Sequence, residues 1–414
     1  MTTPTADDDP EPATPTPGVH ALDGIRVLDL GTYIAGPFCA TILGEFGADV
    51  IKVERPGSGD RLRQFGTETE CGDTLVWLSE ARNKRSVTID MGDPRGVELL
   101  RGLIAEVDVV IENFRPGVLE RWGLDYAAMR ALNPGVILLR VSAYGQSGPM
   151  SDQPGFARIA HAFSGLAYLA GEPGGRPVTP GSTSLADYIS GLYGAVGVLL
   201  ALRARELTGE GQFIDHALFE ATFRVLDEIA PAFQQSGFVR ERMGADTVNV
   251  LPHSHYEAAD GRWIAIACTN DDMFRRLAGA MGAPELAAAD RFGTKERRLA
   301  ARDEVNALVG KWVGSMDRDA VLAACRAAEV PAGPLYSIAE IFEDEQYQHR
   351  NTITTHDSRI GPLAVPNVMP VLSGTPGEIR WLGASLGAHT DEVLSELLGR
   401  TPSELEELRR DGVI

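Results

Sequence analysis

The chain has 414 residues, 44% of them apolar, a formal charge of −20 and four cysteines. Such a length exceeds what one hydrophobic core usually supports and predicts two domains, while the acidity excludes a nucleic-acid partner, which would need a basic surface. Cys39, Cys71, Cys268 and Cys325 show no CxxC spacing, which argues against a disulfide framework or a zinc site and for a reducing, cytoplasmic setting.

Residues 1–20, rich in Thr, Pro and Asp, carry too little apolar surface to fold and are predicted to form a disordered acidic tail. They lack the basic and apolar pattern of a signal peptide. No run reaches the roughly 20 apolar residues of a membrane span, so no membrane association is expected.

Ile25–Leu30 reads as a short apolar strand, followed by the turn Gly31–Pro37, a helix through Phe46 and a second strand, Asp49–Glu54. This β-turn-α-β unit belongs to parallel sheets. It recurs as a helix at 95–106, a strand at 107–111 and, after another helix, a strand at 136–141. Residues 21–224 are therefore predicted to form a large α/β domain with a doubly wound, Rossmann-like parallel sheet. Gly36-Pro37 opens the first helix, with Pro expected at its first position and backbone N–H groups directed beyond the strand ends, where an anion could dock. Gly31 and Gly36 do not fit G-x-G-x-x-G, and no Walker spacing occurs, so a nicotinamide-dependent oxidoreductase is poorly supported.

Thr208–Gln212 makes a turn, the pattern loosens over 225–255, and Asp260–Cys268 reads as a turn and strand opening a second unit. Residues 225–340 are assigned to a smaller α/β domain. Residues 341–414, ending in an acidic amphipathic helix, are predicted to return to the large domain.

The chemistry concentrates where Gly181-Ser-Thr-Ser-Leu-Ala-Asp187 runs into a helix rich in Gly, Ala and Leu. A helix so apolar is buried, which places Asp187 at a constricted junction. The residue is then either a helix N-cap accepting backbone N–H bonds or a reagent, and the two roles are compatible. Gly191 and Gly194 would allow close approach of backbone or ligand. A polyanionic ligand would have to find the local cations Lys52, Arg55, Lys84, Arg85, Arg115 and Arg121. His253 and His255 resemble a metal pair without a third ligand, so no metal is assigned.

Several blocks occurring in order give the chain a family resemblance. Ala35-Gly-Pro37, Gly47–Pro56 with Gly59-Asp60, Asn83-Lys-Arg-Ser86, Glu112-Asn-Phe-Arg-Pro-Gly117, Tyr144–Pro149, the Asp187 segment and Thr208–Gln212 resemble the class III CoA-transferases, the CaiB/BaiF superfamily. The likeness runs from about residue 22 to the C-terminus. Gly155–His161 and Thr179–Asp187 look most like transferases that move CoA from succinyl-CoA to malate or citramalate. The resemblance implies an interlocked homodimer with the active site at the subunit interface. It implies CoA and acyl-CoA as substrates, with no permanently bound cofactor. It also implies a nucleophilic aspartate at Asp187 that passes the acyl group through an anhydride and an aspartyl-CoA thioester.

By the same resemblance Arg55, Asn113, Phe114 and Arg121 fall on CoA-contacting positions, with Lys84 and Arg85 as further candidates. Arg158, in an otherwise apolar run, is the candidate for gripping a substrate's distal carboxylate. Ile34 takes the substrate-facing position at which formyl- and oxalate-type transferases carry Gln, which makes those acids poor candidates. The α-methylacyl-CoA racemases of the superfamily carry an acid–base His where this chain has Phe156. His161, five residues on, reads as a core histidine satisfied by a backbone group. A racemase-type isomerase and a non-catalytic CoA-binding subunit of a heteromer remain the alternatives.

Overall fold

The computed structural model describes residues 19–414. The expected tail lies outside the described residues up to residue 18, but His20 is held in place. Its backbone N–H donates to the Asp23 carboxylate at 2.7 Å, and its Nε2 lies 3.3 Å from Glu378. By packing, the chain divides into two units: one runs to Leu166 and includes Thr179–Glu228 and His349–Ile414, and the other comprises Ala167–Val178 and Ile229–Gln348. Residues 167–178, which a reading along the chain leaves in the large domain, thus belong to the second unit.

The first unit is built on six parallel strands. In chain order its main elements are β1 (Arg26–Asp29), α1 (Ala35–Glu45), β2 (Asp49–Glu54), β3 (Lys84–Thr88), α2 (Pro94–Ala105), β4 (Val109–Glu112), α3 (Tyr126–Leu132), β5 (Ile137–Ser142), α4 (Ala157–Phe163), α5 (Leu185–Thr208), β6 (Phe213–Ala217) and α6 (Leu218–Arg224). The strand order is β3-β2-β1-β4-β5-β6, all pairs parallel. The order reverses between β1 and β4. At such a switch point the connections leave in opposite directions and open a crevice beyond the strand ends.

Strands covered on both faces read as continuous apolar runs, and Leu28, Val110 and Leu138 are fully buried in one cluster, with Val109, Ile111, Ile137 and Leu139 in another on the opposite face. Each such side chain contributes about 1.5–3 kcal/mol by leaving water. Pro37 stands third in α1, which begins at Ala35, so the expectation of Pro at the first position is corrected.

The 24-residue α5 is long and apolar enough to cross a membrane by length and composition, contrary to the expectation that no run reaches that threshold. Its face of Ala186, Ser190, Gly191, Gly194, Ala195, Val198 and Ala201 is nonetheless buried, packed against α1 and β5 as a core helix. The glycines serve this contact. A Cβ at Gly191 would sit 2.8 Å from Phe38 Cδ1 and 3.0 Å from the Ala35 carbonyl, and one at Gly194 would sit 3.0 Å from Leu139 Cδ2. Their closeness is to α1 and the sheet, with the Ala35 carbonyl giving the close backbone approach expected of them.

The second unit carries a three-stranded antiparallel sheet in which His253–Glu257 and Ala332–Pro334 flank Trp263–Ala267. Helices Asp271–Ala280, Arg302–Val313 and Arg318–Ala327 supply Leu277, Val309, Val313 and Val321 to its core. His253 and His255 lie on its first strand.

Candidate active site

The turn after β1 is fixed from two sides. Asn113, just past β4, accepts the Thr32 N–H through Oδ1 at 2.8 Å and donates through Nδ2 to the Thr32 carbonyl at 2.7 Å. Asp60 Oδ1 accepts the Tyr33 N–H at 2.9 Å. Tyr33 is thereby held at φ 62°, a left-handed conformation that costs a non-glycine residue roughly 1–3 kcal/mol and recurs at functional sites.

Beneath the turn lies a buried charge cluster. Lys52 Nζ is 2.9 Å from Asp60 Oδ2 and 3.5 Å from Asp29 Oδ1, and it also donates to the Gly31 carbonyl. Lys84 Nζ is 2.9 Å from Asp29 Oδ2 and donates to the Pro37 carbonyl at 2.5 Å. Burial alone would raise the Asp29 pKa, but the two ammonium groups override it and hold this carboxyl below its usual range.

Asp187 is the third residue of α5, behind Ser184 at the N-cap position. The N-cap role considered for Asp187 is therefore not the one it plays. His161 Nε2 accepts the Ala186 N–H at 2.9 Å, while the Asp187 and Tyr188 amides bond to the Ser184 carbonyl at 2.9 and 3.2 Å. Among the described residues the Asp187 carboxylate has no hydrogen-bond or ion-pair partner. Burial alone raises its pKa to about 7, since the charged form loses hydration and gains nothing in exchange.

Two cavities meet at this carboxyl. One, of about 110 Å³, extends past Asn113, Phe114, Arg115 and Ser142. The other, of about 370 Å³, is lined by Arg158, His161, Thr179, Thr183 and Ser184. Tyr33, Ile34, Phe156 and Asp187 line both. At their common rim the rings of Phe65, Tyr33 and Phe156 stand edge to face, with centroids 5.9 and 5.7 Å apart.

The structure brings Asp187, Ile34, Asn113, Phe114 and Arg158 to these cavities. Arg158 Nη1 donates to the Thr179 hydroxyl at 3.1 Å, and among the described residues it has no carboxylate partner. Phe114 leans edge-on against Trp122 at 5.5 Å. Both ends of the Asn113 amide are engaged by Thr32, so this residue shapes the wall more than it offers free polar atoms. Arg55 and Arg121 are exposed, one directly after β2 and one shortly after β4, and neither forms an ion pair among the described residues.

Lys84 and Arg85 do not reach the site, and their reading as CoA ligands is corrected. Lys84 is occupied by Asp29, while Arg85 is bound by Asp49 at 2.5 Å, Glu392 at 3.1 Å and Glu396 at 2.8 Å. Sequence reasoning missed Tyr33, Ser142 and Thr179 as cavity residues. Nothing local marks them, since their place depends on the crossing of β1, β4, β5 and α5.

A sequence model of CoA-transferase family III matches residues 22–390. The chain belongs to this family. This family III CoA-transferase is 54% identical over 395 residues to the alpha subunit of succinyl-CoA–L-malate CoA-transferase from Chloroflexus aurantiacus, covering 95% of this chain and 92% of that one. It is 42% identical over 394 residues to succinyl-CoA–D-citramalate CoA-transferase from Chloroflexus aurantiacus, covering 95% and 98%. Of solved structures, a CAIB/BAIF family protein from Brucella suis aligns with a TM-score of 0.81 at 35% identity, covering 92% of this chain and all of that one.

Proposed function

We propose that the enzyme exchanges CoA between succinyl-CoA and a C4 to C6 dicarboxylic acid such as malate or citramalate, with Asp187 as nucleophile. The observation that carries this reading is the unpartnered, desolvated carboxylate of Asp187 shared by two cavities. Its oxygen attacks the thioester carbonyl, the C–S bond breaks, and an aspartyl–succinyl anhydride and CoA thiolate form. The thiolate then attacks the aspartyl carbonyl, which releases succinate and leaves an aspartyl-CoA thioester. The acceptor carboxylate repeats the sequence in reverse, returning the Asp187 carboxylate and a new acyl-CoA. Each bond broken is replaced by one formed, so no redox partner or metal is called for.

The smaller cavity, beside the start of α1 and Arg115, suits the thioester end of CoA. Arg55 and Arg121 are free to meet its phosphates. The larger cavity offers Arg158 to a distal carboxylate, and the names of the two Chloroflexus relatives agree with an acceptor of that class. The racemase alternative lacks a base. Phe156 holds no proton, and because His161 Nε2 accepts the Ala186 N–H, its proton sits on Nδ1 and no lone pair is left to abstract another.

A partner chain is proposed as well. α5 exposes Leu192, Tyr193, Val196, Leu199, Leu200 and Leu207, with Leu207 71% exposed, and such a stripe is characteristic of an association surface. We read it as the face of a homodimer, although the relative named as an alpha subunit also fits a heteromer. The test is incubation of the purified chain with succinyl-CoA and a panel of malate, citramalate, itaconate, glutarate, oxalate and acetate, following acyl-CoA products by mass. Dicarboxyl-CoA formed by the wild type and not by Asp187→Ala supports the reading. Silence across the panel, with activity restored by a related second chain, would replace the homodimer with the heteromer.

A further inference from the structure

The N-terminus of α5 presents a conflict that the structure resolves with one side chain. First-turn amides of a helix lack intrahelical acceptors, and a carboxylate at the third position readily folds back onto them. Asp187 occupies that position in the 24-residue α5, yet its carboxylate stays free. One of these first-turn amides is already bound: the Ala186 N–H donates at 2.9 Å to Nε2 of His161, which reaches across from α4. Ser184, at the N-cap position, makes no side-chain cap bond, so among the described residues this turn is capped by the side chain of His161.

The histidine is suited to this task. It is 1% exposed, and burial first, Arg158 second, hold its pKa below the usual range. The ring is therefore neutral, with an acceptor lone pair on Nε2. Its Nδ1 has no partner among the described residues, so none of them competes for the tautomer that the Ala186 amide selects. A protonated ring would turn a donor toward a donor and lose the cap.

We infer that His161 is a positioning residue that relieves Asp187 of helix capping and so keeps its carboxylate unbonded and facing the two cavities. This deepens the proposed role of Asp187 as nucleophile and rests on it. Without the imidazole, the Ala186 amide is open to the Asp187 carboxylate one residue on. The carboxylate then turns inward, is stabilised as the anion by a bond to that amide, and loses both nucleophilicity and aim. Other titratable groups near the carboxyl are Arg158 on α4, Tyr33 after β1, Arg115 after β4 and Tyr188 on α5. β5 and α6 contribute Ser142 and Leu218 to the cavity wall.

The experiment compares His161→Ala with His161→Gln, whose side-chain carbonyl can still accept the Ala186 N–H. The Asp187 carboxyl is titrated by infrared difference spectroscopy against Asp187→Asn, alongside the pH dependence of kcat/KM for succinyl-CoA. In the wild type, burial is expected to place this titration at about 7. The expectation is that His161→Ala lowers this titration by about two pH units and slows transfer by at least ~10-fold, while His161→Gln restores both toward wild type. A folded His161→Ala protein titrating as the wild type does would overturn the inference, as would a His161→Gln titration lowered as far as that of the alanine variant. If His161→Ala does not fold, a wild-type titration in His161→Ser, too short to reach the amide, overturns it equally. The titration needs no turnover, so it judges the inference even if no acid in the panel accepts CoA. Active transfer with an unmoved titration sinks this inference alone.

Discussion

Asn113 holds the backbone of Thr32 from both sides, accepting its N–H at 2.8 Å and donating to its carbonyl at 2.7 Å. One amide thus joins the end of β4 to the turn after β1 and sets the left-handed Tyr33 at the cavity rim. Asn113→Ala removes two hydrogen bonds of about 1 kcal/mol each. We expect a fall of about 2 kcal/mol in urea-unfolding stability and a drop in kcat that exceeds any change in KM for succinyl-CoA. A change in KM alone would mean that Asn113 contacts CoA directly.

Asp187 destabilises the fold it serves. Its folded-state pKa, about 7, lies above the ordinary carboxyl value of 3.8. The resulting stabilisation is fully present below pH 3.8 and is lost as pH rises through 7, amounting to at most ~4 kcal/mol. Asp187→Asn is exempt from that loss. The variant should be inactive yet gain stability relative to the wild type as pH rises from 4 to 8, as measured by chemical melts at each pH.

Lys84 and Arg121 should separate cleanly. Lys84→Met leaves Asp29 buried with one ammonium partner fewer, and breaking such a cluster costs about 3–5 kcal/mol. Arg121→Ala touches no ion pair among the described residues and should leave Tm unchanged while raising KM for succinyl-CoA about tenfold, the effect of losing one charge-assisted bond. Equal KM effects from both substitutions would restore Lys84 as a ligand.

Phe156 is 64% exposed and stands in the aromatic row at the rim. The anhydride proposed above would survive only where water is kept away. Phe156→Ala is expected to raise the ratio of succinyl-CoA hydrolysis to transfer by about tenfold, read from succinate and acceptor-CoA formed together. An unchanged ratio would assign water exclusion elsewhere.

Arg158→Ala should raise KM for a dicarboxylate acceptor by ten- to a hundredfold, about 1.5–3 kcal/mol for a charge-assisted bond. KM for succinyl-CoA should move less if Arg158 acts on the free acid. Unchanged dicarboxylate turnover would remove Arg158 from the acceptor site.

The doubly wound sheet was legible because β1, β2, β4 and β5 are buried on both faces and read as apolar runs. β3 was not. Its sequence, Lys84-Arg-Ser-Val-Thr88, looks like solvated surface, yet all five residues are buried. The charges are compensated by Asp29, Asp49, Glu392 and Glu396, and local sequence gives no hint of partners so distant. The same blindness made Lys84 and Arg85 look like ligands. Asp187 was conspicuous as an acid before an apolar helix, but the residue that caps that helix comes from α4, and only the tertiary fold brings His161 to Ala186.

α5 places Asp187 within its first turn and runs unbroken for 24 residues, about 36 Å at 1.5 Å per residue. The exposed stripe begins at Leu192, a turn and a half beyond the carboxyl. The proposed nucleophile and the exposed stripe therefore share one continuous helix. A partner seated on that stripe, as proposed above, would bear on the same helix that carries Asp187.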